Sequence, residues 1–121
     1  LTWIADYADN RVIAVDADGK VVEHYDEVYG AWDVEPIGDD RLLVSEFAVS
    51  RVREIDRKTK KTVWEFENLK NPYDADRLPN GNTLIADTFG SRVIEVDAKG
   101  AIVWSFAKDR RPIDCDRLPN G

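Results

Sequence analysis

The feature that most constrains this sequence is an internal repeat. Asp33, Asp74 and Asp114 recur at intervals of 41 and 40 residues, and Asn10, Ser50 and Ser91 share another repeat position. A fixed period of roughly 20–50 residues is typical of solenoids and propellers, in which each repeat is one supersecondary unit. The repeat therefore has to be interpreted before any single element.

Each repeat is predicted to contain four short strands. Between residues 72 and 106, short segments rich in Val, Ile and aromatic residues alternate with Asn80-Gly81 and Lys99-Gly100, which suit hairpin turns. The predicted strands of this repeat are Tyr73–Leu78, Thr83–Asp87, Arg92–Val96 and Ala101–Phe106. Because the middle strands are apolar on both faces, each sheet is expected to pack between two others, as in a propeller blade.

The other repeats show the same pattern, and no stretch has a convincing helical period. Their predicted strands are Thr2–Asp6, Arg11–Val15, Lys20–Tyr25, Ala31–Ile37, Leu42–Glu46, Arg51–Ile55 and Thr62–Phe66. The predicted fold class is all-β: a β-propeller with four-stranded antiparallel blades, three blades per chain. Residues 1–121 form a single module, with repeats at 1–30, 31–71 and 72–111.

The first repeat lacks a first strand, and residues 112–121 match the first strand of the third repeat and its turn. Because three blades do not close a ring, we expect six blades, either in a homodimer or in a longer parent protein. In the homodimer, Pro112–Leu118 would pair with Thr2–Asp6 of another chain, which hides the sheet edges. The mid-repeat start and the absence of Met indicate part of a longer protein, and an engineered or excised fragment is a further possibility.

Composition narrows the expected partners. The net charge of −7 and the absence of a basic stripe argue against nucleic acids and anionic membranes. The single cysteine, Cys115, excludes an internal disulfide and is expected to be a small buried hydrophobe. We predict no cofactor, and any small-molecule ligand is unknown.

The segment DADRLPNGNTLIADT, followed by RVIEVD and IVWSF, resembles the repeats of the bacterial and archaeal arylsulfotransferase-like propeller family. This resemblance covers all three repeats. It implies six blades, export from the cytoplasm and, in catalytic members, transfer of a sulfuryl group between phenols through a histidine near the central channel. The family places that histidine just before the Asp-x-Asp motif. Here the matching positions hold Ala31, Trp32, Pro72, Tyr73, Pro112 and Ile113.

No catalytic residue can therefore be assigned by the resemblance, because His24 lies on a predicted outer strand. The first hypothesis is a non-catalytic binding or assembly module that closes into a ring by strand exchange. The alternative is part of an arylsulfotransferase-like enzyme whose catalytic histidines lie outside this chain.

The Asp-x-Asp motifs lie on the predicted innermost strands. They pair Asp33 with Glu35, Asp74 with Asp76, and Asp114 with Asp116. A ring of carboxylates could hold a cation, with Asp76 and Asp116 as weak candidates, but a structural role is favoured because the motif recurs in every repeat. Massed carboxylates raise one another's pKa unless they are neutralised, and five arginines are numerous enough to neutralise them: Arg11, Arg51, Arg77, Arg92 and Arg117.

Three other sets of residues carry predictions. Arg11, Arg51 and Arg92 are expected to form Arg–carboxylate clamps with Asp6, Glu46 and Asp87 at the ends of the preceding strands. Trp64, Phe66, Trp104 and Phe106 are expected to fill the broad outer core. Trp32 and Tyr73, which differ between repeats, are the best candidates for contact with a ligand, and Asp33, Asp74 and Asp114 are the polar candidates for the channel.

Overall fold

The computed structural model describes residues 1–107, which form three antiparallel sheets and no α-helix. Blade 1 has three strands, which correspond to the second, third and fourth strands of the other blades: β1 (Thr2–Asp6), β2 (Arg11–Val15) and β3 (Val21–Asp26). Blade 2 has four: β4 (Ala31–Ile37), β5 (Arg41–Glu46), β6 (Arg51–Asp56) and β7 (Thr62–Phe66). Blade 3 also has four: β8 (Asp74–Arg77), β9 (Thr83–Asp87), β10 (Arg92–Val96) and β11 (Ile102–Ala107). Within each sheet the strands pair in chain order, which confirms the predicted all-β meanders.

The turn chemistry explains the strand limits. Asp16 and Asp97 close equivalent turns, because each carboxylate accepts backbone N–H bonds from residues two and four positions later. Gly19 and Gly100 then take the positive φ that such a hairpin requires. Since this turn also uses the carbonyls of Lys20 and Ala101, β3 and β11 begin one residue later than predicted.

The core lies between the blades. One buried cluster joins Val12 and Tyr25 of blade 1 to Leu42 and Val44 of blade 2. A second joins blade 2 to blade 3, with Leu43, Val52 and Phe66 packed against Ala75, Ile85, Ile94 and Val96. Strand β5 is buried along almost its whole length because blades 1 and 3 pack on its two faces, and β9 is buried throughout. Burial on both faces explains their unbroken apolar sequences.

The prediction for the outer aromatic residues is correct for blade 2 and wrong for blade 3. Phe66 is 8% exposed because blade 3 covers it, whereas the equivalent Phe106 is 47% exposed. Trp104, which stacks on Phe106, is also exposed, and every residue of β11 shares this exposure. An outer-strand aromatic residue is buried only when the following blade packs on it.

Candidate functional site

Five aromatic side chains from all three blades form one continuous cluster, the aromatic cluster: Tyr7, Trp32, Phe47, Tyr73 and Phe89. Trp32 lies at the start of β4, the innermost strand of blade 2, and Tyr73 immediately precedes β8, the innermost strand of blade 3. The other three come from the loops between the second and third strands of each blade. Tyr7, Trp32 and Phe89 are partly exposed, and Trp32 keeps 47% of its surface accessible.

The centre of the cluster is a parallel stack. The rings of Trp32 and Tyr73 lie 4.5 Å apart at an interplanar angle of 11°. Tyr7 meets Trp32 edge to face at 5.4 Å, and Phe47 lies 5.6 Å from Trp32 and 5.2 Å from Tyr73. Phe89 extends the cluster by an edge contact with Phe47 at 5.5 Å. These are favourable geometries for aromatic pairs, so the rings support one another while leaving apolar surface exposed.

The loops that carry these rings share one conformation. In each, the residue before the third strand takes a left-handed backbone conformation: Asn10 at φ 52°, Ser50 at φ 53° and Ser91 at φ 53°. The side chains of Asn10 and Ser50 then accept backbone N–H bonds from Gly30 and Asn71, the residues that precede the next blade or its innermost strand. The loops of blades 1 and 2 are thereby tied to the chain segment entering the next blade.

A carboxylate at the end of each second strand makes the predicted Arg clamp. Glu46 is fully buried and accepts hydrogen bonds from Arg51 and Arg53, each with a shortest distance of 2.7 Å, and from the backbone N–H of Tyr29 at 2.9 Å. Tyr29 belongs to the linker between blades 1 and 2. The clamp therefore holds its own blade and the incoming linker together.

The other two clamps differ in their second partner. Asp87 accepts Arg92 Nε at 2.7 Å and the backbone N–H of the linker residue Lys70 at 2.6 Å. Asp6 accepts Arg11 Nε at 2.9 Å, but its backbone donor is Asp9 of its own loop, at 3.4 Å. The Arg11 guanidinium lowers the pKa of Asp6 below its usual value. All three Arg–carboxylate pairs were predicted correctly, while the linker contacts were not foreseen.

The predicted polar candidates of the described chain lie on neighbouring innermost strands. Asp33 and Glu35 lie on β4, Asp74 and Asp76 lie on β8, and all four are partly buried. Burial, a hydrogen bond with Asp76 and the negative charges of Asp76 and Asp33 raise the pKa of Glu35 to about 8. The backbone N–H of Arg77 opposes this by hydrogen bonding to Glu35. Glu35 and Asp76 therefore form an acid pair between blades 2 and 3.

The prediction that nearby arginines neutralise the Asp-x-Asp motifs is wrong for four of the five arginines. Arg11, Arg51 and Arg92 bind the carboxylates at the strand ends, and Arg77 binds Glu54 of blade 2 at 2.6 Å. The strand register places Arg11, Arg51 and Arg92 directly opposite the carboxylates that they bind, whereas Arg77 reaches Glu54 across the interface between blades 2 and 3. Arg117 lies outside the described residues.

Several predictions concern that undescribed part of the chain. Asp114, Asp116, Cys115 and Pro112–Leu118 all lie outside residues 1–107. Within residues 1–107 there is no group of three or more His, Cys, Asp or Glu side chains that could hold a metal ion. His24 is exposed on β3, as expected, with Asp26 at 3.7 Å. Across the same residues no helix is long and apolar enough to cross a membrane.

Sequence reasoning singled out Trp32 and Tyr73 but missed the other three rings. Tyr7 and Phe47 occupy the same repeat position, directly after the clamp carboxylate, and Phe89 is one position later. An aromatic residue in this loop in all three repeats was the available signal.

Comparisons with known proteins agree on the fold. No protein-family model matches the chain, and no curated protein matches it. Among solved structures, virginiamycin B lyase from Staphylococcus aureus superposes with a TM-score of 0.69 at 19% identity, over 90% of this chain and 38% of that one. Hydrazine synthase from Kuenenia stuttgartiensis gives a TM-score of 0.76 at 19% identity, over 92% and 34%. The WD40 β-propeller domain of Doa1 gives 0.68 at 14% identity, over 88% and 39%.

The chain thus spans less than two-fifths of the length of these structures. Identities this low show fold alone, and nothing in the comparisons names an arylsulfotransferase-like family. Together with the three antiparallel sheets, they show that this chain is an all-β part of a β-propeller.

Proposed function

We propose that this chain is a non-catalytic propeller module that binds a small molecule with a flat aromatic face at the aromatic cluster. The observation that carries the proposal is the Trp32–Tyr73 stack, which keeps 47% of Trp32 exposed while Tyr7 and Phe47 support it. Ligand sites are mostly apolar and aromatic, with a few polar groups that orient the ligand. Asp33, which follows Trp32 directly, is the nearest such candidate in the chain.

The cluster is better suited to binding than a chance group of exposed rings. Trp32, Phe47 and Tyr73 each contact at least three other rings, so their positions are held before a ligand arrives. Preorganisation of this kind lowers the entropic cost of binding. The module is further proposed to complete its ring by strand exchange with another set of blades.

The binding proposal is tested by calorimetric titration with phenol and p-nitrophenol as planar probes, and with cyclohexanol as a non-planar control of similar size. We expect saturable binding of the planar probes only, weakened roughly two- to tenfold by Trp32→Ala, because a ring contact contributes roughly 0.5–1.5 kcal/mol and about 1.4 kcal/mol corresponds to tenfold. Trp64→Phe, on outer strand β7, is the matched control and should leave the affinity unchanged. Equal binding of cyclohexanol, or full binding by Trp32→Ala, would contradict the proposal.

The enzyme alternative makes a different prediction. If the chain is part of an arylsulfotransferase-like enzyme, a longer protein that includes the blades with the catalytic histidines would release p-nitrophenol from p-nitrophenyl sulfate in the presence of a phenol acceptor. Turnover by this chain alone would overturn the non-catalytic proposal. The titration and the assay use the same protein and related phenols, so binding and catalysis are separated directly.

A further inference from the structure

We propose that the ligand of the aromatic cluster is a planar aromatic molecule with a positive charge, whose ring stacks on Trp32 and whose cationic group pairs with the carboxylate of Asp33. This inference rests on the proposed function, which gives the same cluster a flat aromatic ligand, and it adds the charge of that ligand. A neutral ligand would leave the proposed function standing and would overturn this inference.

The first support is the backbone at Trp32. In the pairing of β4 with β5, Ala31 lies opposite Glu46 and Asp33 lies opposite Ser45, so Trp32 is an extra residue in β4. The pairing of β8 with β9 has no such shift. Bulges of this kind re-aim a side chain and are common beside functional sites. This bulge lies where Trp32 stacks on Tyr73, and Asp33 is the first residue after it.

The second support is the charge of Asp33. This residue is half-buried, and within residues 1–107 its carboxylate accepts no hydrogen bond and forms no ion pair. Its negative charge instead acts on the neighbouring acid Glu35. Other buried or half-buried carboxylates of the three blades bind an arginine: Asp6, Glu23, Glu46, Glu54 and Asp87. Asp33 is therefore able to pair with a cation that arrives with a ligand.

A buried hydroxyl beside Asp33 gives independent support. Ser45 lies directly opposite Asp33 and is 0% exposed, and its Oγ atom has no hydrogen-bond partner within residues 1–107. The equivalent residues of the other repeats are Ala5 and Ala86, so only blade 2 carries this hydroxyl among the described blades. Buried polar atoms nearly always have a partner. An N–H donor of a ligand held by Asp33 would supply one.

The face of blade 2 that carries Ser45 is turned towards Tyr73. Val52 lies opposite Ser45 on the far side of β5 and belongs to the core between blades 2 and 3. Because directly opposed residues share one face of a sheet, Asp33 and Ser45 also lie on the side of blade 3. The polar pair and the Trp32–Tyr73 stack are therefore neighbours at the same end of the innermost strands.

The rings of the stack are themselves suited to a cation. Trp32 and Tyr73 contact other rings, and within the described chain no arginine or lysine lies over either of them. Cations do lie over rings elsewhere: Arg57 over Trp3, Lys60 over Tyr25 and Arg77 over Trp64. A positive charge is attracted to the face of an exposed indole. The net charge of −7 also favours the approach of a cation.

An anionic ligand fits this site less well. The arginines that follow the cluster loops, Arg11, Arg51 and Arg92, each donate Nε to a clamp carboxylate, so their charge is already balanced. An anion stacked on Trp32 would instead meet the negative charge of Asp33. This distinguishes the inferred ligand from an aryl sulfate, the anionic donor of the enzyme alternative.

The charge of the ligand is tested by calorimetric titration of the full chain at about pH 7 and low salt. Three phenols of similar size differ in charge: 4-hydroxybenzylamine is a cation, 4-hydroxybenzyl alcohol is neutral and 4-hydroxybenzoate is an anion. We expect the cation to bind roughly three- to thirtyfold more tightly than the alcohol, from one cation–π contact and one ion pair. The anion should bind more weakly than the alcohol. Added salt should reduce the preference for the cation.

The role of Asp33 is tested with Asp33→Asn, which removes the charge and keeps the shape of the side chain. It should weaken binding of the cation roughly two- to fivefold and leave binding of the alcohol unchanged, which also shows that the variant is folded. Asp18→Asn is the matched control. It removes the same charge from the turn between β2 and β3, at the opposite end of the strands from Tyr7, and should leave all three affinities unchanged. Ser45→Ala, which restores the residue of both other repeats, should weaken binding of the cation only.

The outcomes separate the inference from the proposed function. Equal binding of the three phenols, or a preference for the cation that Asp33→Asn leaves intact, would overturn the inferred charge but not the binding of flat aromatic molecules. Failure of every phenol to bind would overturn both. A preference for the cation that is lost in Asp33→Asn and kept in Asp18→Asn would support the inference.

Discussion

The clamps of blades 1 and 2 have the same local design and very different surroundings. Glu46 and Asp6 each end a second strand, and each binds an arginine five residues later. Glu46 is fully buried and also binds Arg53 and the linker residue Tyr29. Asp6 is partly exposed, and within residues 1–107 its backbone donor is Asp9 of its own loop. The difference shows that each repeat forms the Arg–carboxylate pair by itself. The carboxylate also bonds to the incoming linker only where a blade precedes it.

The largest decrease in the free energy of unfolding is expected from Glu46→Ala. The substitution leaves Arg51 and Arg53, with side chains only 22% and 11% exposed, without their shared carboxylate. Removing one member of a buried charge network is expected to lower the free energy of unfolding by about 3–5 kcal/mol. Denaturant titration measures this loss. Asp6→Ala is the matched control and should leave the unfolding midpoint nearly unchanged; an equal loss in both variants would refute the comparison.

A smaller effect is expected from removing apolar contacts at equivalent positions. Ile85→Ala opens a cavity between blades 2 and 3 and should lower the free energy of unfolding by about 2–5 kcal/mol. Ile4→Ala should be less costly in dilute, dissociated protein, because Ile4 is already partly exposed.

Measurements at different protein concentrations test the prediction for Ile4→Ala further. At concentrations that favour the homodimer expected from the sequence, the loss caused by Ile4→Ala should grow toward that of Ile85→Ala, because a second copy would then cover Ile4. Unfolding midpoints measured across a hundredfold dilution series provide the test. A constant, large loss for Ile4→Ala at every concentration would show that something other than a second copy buries it.

The smallest change in the free energy of unfolding at any single pH is expected from Glu35→Gln. The pKa of Glu35 is raised from 4.5 to about 8, so the folded state keeps a proton that the unfolded chain releases. Its contribution to stability is therefore greatest below about pH 4.5 and is lost as the pH rises through about 8. Glu35→Gln should flatten this fall. Unfolding curves from pH 5 to 9 measure it, and an unchanged slope would mean that Glu35 does not hold the proton.

Sequence reasoning was most successful where interactions are local. Strands β1, β2, β4, β7, β9 and β10 begin and end at the predicted residues. The Arg–carboxylate clamps were equally predictable, since each pair lies across a tight loop and directly opposite in the strand register. Hairpin turns with Asp and Gly fix the strand limits of blades 1 and 3, and a left-handed residue closes each loop that a clamp spans.

Contacts between blades were predicted poorly. Arg77 was expected to neutralise the Asp-x-Asp motifs and instead binds Glu54 of the neighbouring blade. Trp104 and Phe106 were expected in the core and are exposed, because burial depends on a following blade. Tyr7, Phe47 and Phe89 were not linked to Trp32, since their contacts join segments that only the stacking of blades brings together.

The sequence by itself determined the repeat, the strands, the turns and the clamps, because their partners lie within a few residues along the chain. Only the tertiary structure decided which clamp becomes a buried joint, which aromatic residues meet at the aromatic cluster, and that Glu35 shares a hydrogen bond with Asp76. The reason is that these outcomes depend on how neighbouring blades pack face to face. Similar repeats therefore have different environments at the ends of the described chain and in its middle.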